Sequence, residues 1–533
     1  MMGKCQHLSR FTAVSMMLAS SALMVLWPSN ARADDESDPD PNAPVVLPDP
    51  GAPYPSNVDH LATETNDGAR PSRRRHHDIH RPTVFAPDNF PLAGYHGGHF
   101  YLRDDNDTFR FFPGLLLQAD SKATFGRGVA DLTGSQAHEV KTQAFINRAR
   151  LEAGGQVLKA WSFYVTGDLA PSKQRLEHAL VDVRFHRWAH LTVGQQQLPF
   201  TMENRTTDAG TAFLDRPLAV RFGAPQSKDI GAMMWGGAPG GFFHYEVGVF
   251  GGDGQNRGSV DNRADVAGRV YVRPLSSTHS LASRIQIGAS GTYGMRELRS
   301  VTYAMDPLTT AGGWTFWNTT YADSQGRTTH IIPSGAQSGF AGELRVPVSK
   351  LDFRFEFVSM RRNTREAIDG FESTNTERLG RLKGTAYYAQ IGFWILGDPS
   401  IAAEPGEFRP PTLHFPEGDP IKPPRGLELL LRVEQLSATY KPATRGDSSA
   451  IGGPGVSSVD VKANVFGVGL KYHATSHAGV YVNYTFTHLP DSGATPLSTQ
   501  APGNVADNGT SDPNHFSSVH TLHELGGRFQ VAF

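Results

Sequence analysis

One stretch of the sequence gathers side chains suited to binding an anion. Residues 202–228 read MENRTTDAGTAFLDRPLAVRFGAPQSK, and the half that begins at Pro217 holds two cations and no acidic residue. The cations of the whole stretch are Arg205, Arg216, Arg221 and Lys228. A guanidinium group grips an oxyanion through two parallel N–H bonds, and a narrow surrounding strengthens the attraction. If the stretch folds into an enclosed space, Arg216 and Arg221 are the best candidates for contact with the anion.

Further basic residues lie on the polar face of segments that alternate between apolar and polar positions. The cations on that face are Arg148, Arg150, Arg184, Arg269, Arg273, Arg284, Arg345, Arg354, Arg432, Lys471 and Arg528. The carboxylates on it are Glu152, Asp182, Glu246, Glu343, Asp352, Glu356, Glu428, Glu434 and Glu524. Because the two sets nearly balance, these arginines either pair across neighbouring strands or remain available to anions. We add Arg148, Arg150 and Arg184 to the loop cations as candidate anion-binding residues.

Motifs for catalysis and for metal binding are not evident. The sequence has no HExxH, GxSxG or Walker motif, and its single cysteine is Cys5. Histidines cluster in RRRHHDIH (73–80) and YHGGH (95–99), but neither spacing matches a metal-ligand frame, and a solvated basic patch is the simpler interpretation. We therefore expect no enzymatic activity, no cofactor and no metal.

The first 33 residues are typical of a secretory signal peptide. Lys4 and Arg10 precede an apolar stretch, and Ala31-Arg32-Ala33 provides a cleavage pattern. An uncleaved anchor is the alternative, but the apolar stretch is short for a membrane span and acidic DDESD follows it. We expect export through a cleaved signal and no later transmembrane helix.

Residues 34–106 form a proline-rich zone that opens with DDESDPDPNAPVVLPDPGAPYP. Proline at this density disfavours both helix and sheet. We interpret the zone as a disordered or extended arm that adds nothing to the stability of the rest.

From residue 107 to 533 the chain consists of segments about ten residues long with period-two alternation. In LDFRFEFV (351–358), for example, the apolar residues occupy one face and Asp352, Arg354 and Glu356 the other. The sixteen segments begin near Thr108, Ala144, Ala160, Ala179, His190, Asp229, Phe242, Asp265, Ser283, Ser338, Leu351, Gly384, Gly426, Asn464, Ala478 and Leu522. This pattern predicts an all-β fold with strands exposed to different surroundings on their two faces.

The connections between these segments alternate between short and long. Short ones lie around Lys159 and Lys350, and long ones at 201–228, 295–337 and 490–521. The connection 396–425 is long where a short one is due. A transmembrane antiparallel β-barrel of about 16 strands has this rhythm, with tight turns at one end and long loops at the other.

The chain ends on GGRFQVAF (526–533), another alternating strand. We expect its apolar side chains to face lipid and its polar ones the lumen, with the strand pairing to the first one and closing the barrel. The terminal Phe533 resembles the signal read by bacterial barrel-assembly machinery. That machinery and outer-membrane lipid, including lipopolysaccharide, are therefore expected partners.

Several short motifs occur in an order that resembles the phosphate-selective porin O and P family of Gram-negative outer membranes. They are FINRARLEAGG, LTVGQQQLPFTMENR, FLDRPLAVRFGAPQSKDIGAMMWGG, YEVGVFGGDGQN and AGRVYVRP between 144 and 275, then GLELLLRVEQLS and VYVNYTFTHLP. The resemblance implies a trimeric, sixteen-stranded porin whose third outer loop enters the lumen. It also implies a path lined by arginine and lysine for phosphate or related anions. Many members carry a lysine where this chain has Gln197, which is a departure from the pattern.

Together these observations predict a passive diffusion channel of the outer membrane that favours anions such as phosphate and forms a homotrimer. Two alternatives remain open: a general porin with weak solute selectivity, and a non-conducting barrel that serves as a surface anchor or adhesin. With 50 basic and 52 acidic residues, the composition gives no sign of a nucleic-acid partner.

Overall fold

The computed structural model describes residues 91–533 except 97–98, 107, 126–139, 159, 171–174, 187, 225–226, 279, 298–299, 323–327, 369, 372–377, 409–424, 445–458, 476 and 491–520. The predicted signal peptide, the RRRHHDIH motif and residues 34–90 of the predicted arm lie outside the described residues. Within them, no helix is long and apolar enough to cross a membrane.

The described chain is built mainly of β-strands. They are β1 (Ala93–His96), β2 (His99–Arg103), β3 (Phe109–Phe125), β4 (Val140–Val157), β5 (Trp161–Asp168), β6 (Arg175–His186), β7 (Ala189–Gln197), β8 (Lys228–Gly237), β9 (Phe243–Phe250), β10 (Asp265–Val272), β11 (Gln286–Arg296), β12 (Leu308–Thr309), β13 (Thr315–Trp317), β14 (Thr320–Ala322), β15 (Thr328–Val348), β16 (Leu351–Ile368), β17 (Arg378–Leu396), β18 (Gly426–Thr444), β19 (Val459–His473), β20 (Ala478–His488) and β21 (Thr521–Ala532). The helices are α1 (Met202–Arg205), α2 (Leu218–Gly223) and 3₁₀ turns at Pro239–Gly241, Leu281–Arg284 and Pro399–Ile401.

Sixteen of these strands, β3 to β11 and β15 to β21, pair antiparallel with their neighbours in a closed barrel. Closure occurs where β21 pairs with β3, with Val531 opposite Leu117. The predicted fold class and strand count are confirmed. The largest error in a predicted start is at β15, which begins at Thr328 rather than near Ser338. Its first part contains an irregularity between Pro333 and Gln337 that interrupts the alternation.

The two faces of the barrel wall differ as the alternation predicts. On β16, Leu351 is exposed to the outside, whereas Asp352, Arg354 and Glu356 are buried in the interior. The same holds on β20, where Val480 is exposed on the outer face. An outer face of apolar side chains and an inner face of charged ones is the arrangement that a hydrocarbon surrounding requires.

The barrel has a turn end and a loop end. Connections at the turn end are mostly short, such as 349–350, and those at the loop end are long, such as 198–227. The connection 397–425 is the longest at the turn end, as the sequence indicated. Its described part, 397–408, reaches the interior, because Glu404 and Glu407 bond to arginines near β10, β11 and β15.

A hairpin of β1 and β2 lies at the turn end beside β3, with Leu102 opposite Phe111. Tyr101 of this hairpin is buried and packs on Phe112. Phe100 places its ring 5.9 Å from that of Phe533 at the chain terminus. The predicted arm up to residue 106 therefore differs from the structure over 93–103. Because the alternation in β2 spans only five residues, it was too short to recognise.

Candidate functional site

The described part of the connection between β7 and β8, residues 198–224 and 227, folds into the barrel, and we call it the inward loop. It is tied to the wall on several strands. The Thr201 N–H donates to Ser290 Oγ (3.0 Å), and the Leu214 N–H to Asn483 Oδ1 (2.9 Å). From β21, Gln530 Nε2 donates to the carbonyl of Ala209 (3.0 Å). The expectation that this loop enters the lumen is confirmed.

Local sequence explains the two short helices of the inward loop. Thr201 caps α1, because its hydroxyl accepts from the Asn204 N–H at 3.1 Å. In α2 every residue except Arg221 is buried, and most of its apolar side chains join a cluster with the wall. Helix α2 is therefore fixed by its apolar residues, and Arg221 remains as its one polar, partly exposed side chain.

A cavity of about 280 Å³ lies at the loop end, bordered by the inward loop and the barrel wall. We call it the loop-end cavity. Its charged lining residues are Arg148, Arg150, Arg175, Arg216, Arg221 and Lys228, with Asp208 and Asp306. Five of the seven cations proposed from sequence thus meet in one place, although they come from β4, the inward loop and β8.

Asp208 of the inward loop is the carboxylate that organises this cavity. It accepts hydrogen bonds from Arg150 Nη1 (2.6 Å), Arg216 Nη2 (2.9 Å) and Arg148 Nη2 (3.3 Å). Burial raises the pKa of Asp208, but the neighbouring cations Arg148 and Arg150 outweigh burial and hold the pKa well below its usual value. One carboxylate charge is therefore shared among three guanidinium groups, and the cations retain an excess of positive charge.

Two further carboxylates that pair with the lining cations, Glu177 and Asp168, do not remove that excess. Glu177 pairs with Arg150 (Nη2 to Oε2, 3.2 Å) and Arg175 (Nε to Oε1, 2.8 Å), and it also bonds Lys228. Asp168 pairs with Arg150 as well. Even with Glu177 and Asp168 included, six cations stand against four carboxylates.

Arg221 is held differently from the other five cations. Its Nη1 donates to the backbone carbonyls of Thr309 (2.6 Å) and Thr310 (3.1 Å), on the loop-end connection 297–327. Within the described part of the chain, no carboxylate lies at ion-pair distance from Arg221. The carbonyls fix the position of this guanidinium group but leave its charge uncompensated by a direct partner.

Two of the predicted cations lie elsewhere. Arg205 is buried outside the loop-end cavity, where its Nη2 pairs with Glu246 (3.0 Å) and its Nη1 donates to the carbonyl of Gln197 (3.0 Å). Arg184 is exposed near the turn that joins β6 and β7. The alternating pattern did not show how far Arg184 lies from the loop-end cavity along the strand.

A second cavity, of about 180 Å³, lies at the turn end. We call it the turn-end cavity. Arg150 and Asp208 line both cavities, so this ion pair marks the boundary between them. Gln197 also lines the turn-end cavity, directly across the strand pair from Lys228.

Among the described residues, most arginines of the wall form ion pairs, which agrees with one of the two sequence interpretations. Arg269 pairs with Glu343 (2.8 Å), and Arg528 with Asp120 (2.7 Å). Arg354 Nη2 lies 2.9 Å from Asp352. These pairs are buried, so their charges largely cancel for anything that passes through the lumen.

A third group of arginines lies at the turn end, where Arg273, Arg284 and Arg345 converge on Glu404 of the connection 397–425. Burial raises the pKa of Glu404, but these three arginines outweigh it and set the pKa at about 2. Nothing in the alternating pattern indicated Glu404. The exceptional length of its connection was the only signal in the sequence.

The family model described as phosphate-selective porin O and P matches residues 122–498. No curated protein matches the sequence. Among solved structures, OmpT of Vibrio cholerae is similar at 11% identity, covering 81% of this chain and 99% of that chain with a TM-score of 0.43. An anion-selective porin from Comamonas acidovorans is similar at 10% identity, covering 80% and 100% with a TM-score of 0.42. The outer-membrane channel DcaP of Acinetobacter baumannii is similar at 10% identity, covering 81% and 99% with a TM-score of 0.42.

Proposed function

Because this chain belongs to the phosphate-selective porin O and P family, and is accordingly a channel of the outer membrane, we propose that it favours anions such as phosphate. The observation that carries the proposal is the loop-end cavity, where six cations face a smaller number of carboxylates. In a confined lumen of reduced dielectric, each unbalanced cation lowers the energy of a passing anion and raises that of a passing cation.

Arg216 and Arg221 are the residues that we assign to anion contact. Arg216 shares Asp208 with Arg148 and Arg150, and among the described residues Arg221 is held only by carbonyls and a hydroxyl. A phosphate that enters the cavity thus meets guanidinium groups whose N–H bonds are not all committed to carboxylates. Bidentate N–H contacts to two oxygens would select phosphate over chloride.

The departure at Gln197 is compatible with this proposal. Residues directly opposite each other on paired strands have Cβ atoms about 5 Å apart. Lys228, which lies opposite Gln197, therefore supplies a cation close to the position where many family members carry a lysine. Lys228 lines the loop-end cavity, whereas Gln197 lines the turn-end cavity.

The proposal also covers the export, membrane assembly and oligomeric state of the channel. The first 33 residues act as a cleaved signal, and the terminal strand with Phe533 is read by the barrel-assembly machinery. The barrel works as a homotrimer embedded among outer-membrane lipid and lipopolysaccharide. It acts as a passive channel, with no enzymatic step.

A weakly selective general porin is the second candidate, and the paired wall favours it. The ion pairs of Arg269, Arg354 and Arg528 contribute little net field. Anion preference then rests entirely on the loop-end cavity.

Reversal potential in planar bilayers distinguishes the two candidates. With the purified protein in a KCl gradient, we expect a reversal potential of the sign that chloride permeation produces. Its magnitude should grow as the salt is diluted, because screening weakens. Millimolar phosphate should then block the chloride current. A potential near zero without phosphate block supports the weakly selective porin, and the absence of any conductance step supports a closed anchor.

A further inference from the structure

The turn end of the lumen contains three arginines that bind the chain's own carboxylates. Arg273 follows β10, Arg284 precedes β11, and Arg345 lies on β15 opposite Gln286. All three side chains are buried. We call them the turn-end arginine cluster. Three guanidinium groups this close together repel one another unless anionic groups lie between them.

Two carboxylates of the segment 397–408 occupy the cluster. Glu404 bonds all three arginines, with Oε1 at 3.1 Å from Arg273 Nη2 and 2.5 Å from Arg345 Nη1. Glu407 Oε1 accepts from the same Arg273 Nη2 at 2.7 Å and from the Tyr271 hydroxyl at 3.1 Å. Because one Arg273 nitrogen contacts both carboxylates, the two are separated by no more than the span of a short aliphatic chain.

The segment that supplies these carboxylates has no strand pairing of its own. It is held by polar contacts: Arg269 Nη1 donates to the Gly406 carbonyl (2.6 Å), and the Gly406 N–H donates to Thr206 Oγ1 (2.8 Å) on the inward loop. Phe408 stacks on His178 with ring centroids 4.5 Å apart. A segment anchored mainly through arginines is one with which a soluble anion competes directly.

Space for such competition is present next to the segment. Ser400, Ala403 and Phe408 line the turn-end cavity, which also borders the Arg150–Asp208 pair. An anion that passes that pair from the loop end therefore arrives at the segment. Outward displacement of Glu404 and Glu407 would leave Arg273 and Arg284 without a carboxylate partner among the described residues, whereas Arg345 would keep Asp352 at 3.0 Å.

We propose that the turn-end arginine cluster is a second anion-binding site, that it takes short dicarboxylates such as succinate, and that Glu404 and Glu407 occupy it when no solute is bound. The proposal rests on the proposed function only in that solute reaches the cluster through an accessible lumen. The two carboxylates of the ligand replace those of Glu404 and Glu407, and Arg273 and Arg284 hold them.

Calorimetric titration tests this without requiring conduction. In detergent, with folding checked by the shift of the unheated protein band, Glu404→Gln/Glu407→Gln should bind succinate at least about tenfold more tightly than the unaltered protein, because the internal competitor is gone. Acetate, with one carboxylate, should gain much less. Adding Arg284→Gln to the double variant should abolish the gain.

Asp120→Asn is the matched control, since it removes a buried wall carboxylate and frees Arg528 away from the cluster. It should leave succinate affinity unchanged. Equal gains for succinate and acetate, a gain with Asp120→Asn, or no gain in the double variant would each overturn the proposal. If the double variant does not fold, Glu407→Gln alone should give a smaller gain in succinate affinity. The absence of that gain would also overturn the proposal. A channel without anion preference would contradict the proposed function but not this site.

Discussion

Arginines lie at both the loop end and the turn end of the lumen, but the groups that they contact differ. At the turn end, Arg345 pairs with Asp352 at 3.0 Å and with Glu404 at 2.5 Å, and only 1% of its side chain is exposed. At the loop end, Arg221 lines a cavity and donates to carbonyls and a hydroxyl. A cation on the inner face of a barrel is therefore not in itself an anion site, since its partners decide what it does.

The physical reason is the balance between pairing and desolvation. A buried guanidinium between two carboxylates has its field cancelled at short range, and removal of one partner leaves an uncompensated charge. A guanidinium held by carbonyls, such as that of Arg221, has no carboxylate in direct contact among the described residues, and low-dielectric walls focus its field into the lumen. In the proposed function, the turn-end pairs therefore contribute mainly to the stability of the barrel, and the loop-end cations act on solutes.

The largest effect is expected from reversing both inward-loop arginines. In Arg216→Glu/Arg221→Glu the cavity loses two cations and gains two carboxylates, so the ratio of anion to cation permeability should fall by at least about tenfold. The shift in reversal potential should be greatest at low salt. Arg354→Glu, on a wall position already paired with Asp352, should shift it much less. Equal shifts would show that the inward loop does not control selectivity.

At the turn end, removal of an arginine should lower the free energy of unfolding of the barrel. Arg345→Gln leaves Asp352 and Glu404 each short of a partner, and breaking a buried pair in this way costs about 3 kcal/mol. Arg221→Gln removes no ion-pair partner from a carboxylate and should cost well under half of that. Equilibrium unfolding in urea, followed by tryptophan fluorescence, measures both. Equal losses of unfolding free energy in the two variants would mean that ion pairing does not distinguish the turn end from the loop end.

A smaller effect is expected for the hairpin of β1 and β2, which pairs with β3 and places His99 in the lining of the turn-end cavity. A chain that starts at Asp107 behind an intact signal should still insert and conduct with unchanged selectivity. Because burial of Tyr101 against Phe112 is lost, its unfolding free energy should fall by about 2 kcal/mol. Starting instead at Pro91 keeps the hairpin and should restore stability. Altered selectivity in the shorter chain would show that the hairpin shapes the lumen.

The strands could be predicted from sequence because a barrel wall imposes one constraint at every second residue. Leu351 faces outward and Asp352 inward for the same reason that Val480 and Tyr481 do, and the constraint is local. The pairing of β21 with β3 followed from the need to close the sheet. These features depend on neighbours in sequence or on simple topology.

The state of each cation could not be predicted, because it depends on partners far along the chain. Arg205 and Arg216 are eleven residues apart in one loop, yet Arg205 pairs with Glu246 on β9 while Arg216 shares Asp208. The occupation of the turn-end cluster by Glu404 required a connection to reverse into the barrel. Alternation carries no information about either contact.

Block of the chloride current by phosphate tests the central claim most directly, because block requires contact with the cation. The half-blocking concentration should be measured at low KCl for Arg221→Gln and Arg345→Gln, each checked for folding and conductance. We predict that Arg221→Gln raises it by about tenfold, as loss of a charge-assisted contact of about 1.4 kcal/mol requires, and that Arg345→Gln changes it by less than about twofold. Equal increases in the two variants, or an increase with Arg345→Gln alone, would contradict the assignment of anion contact to the unpaired cation of the loop end.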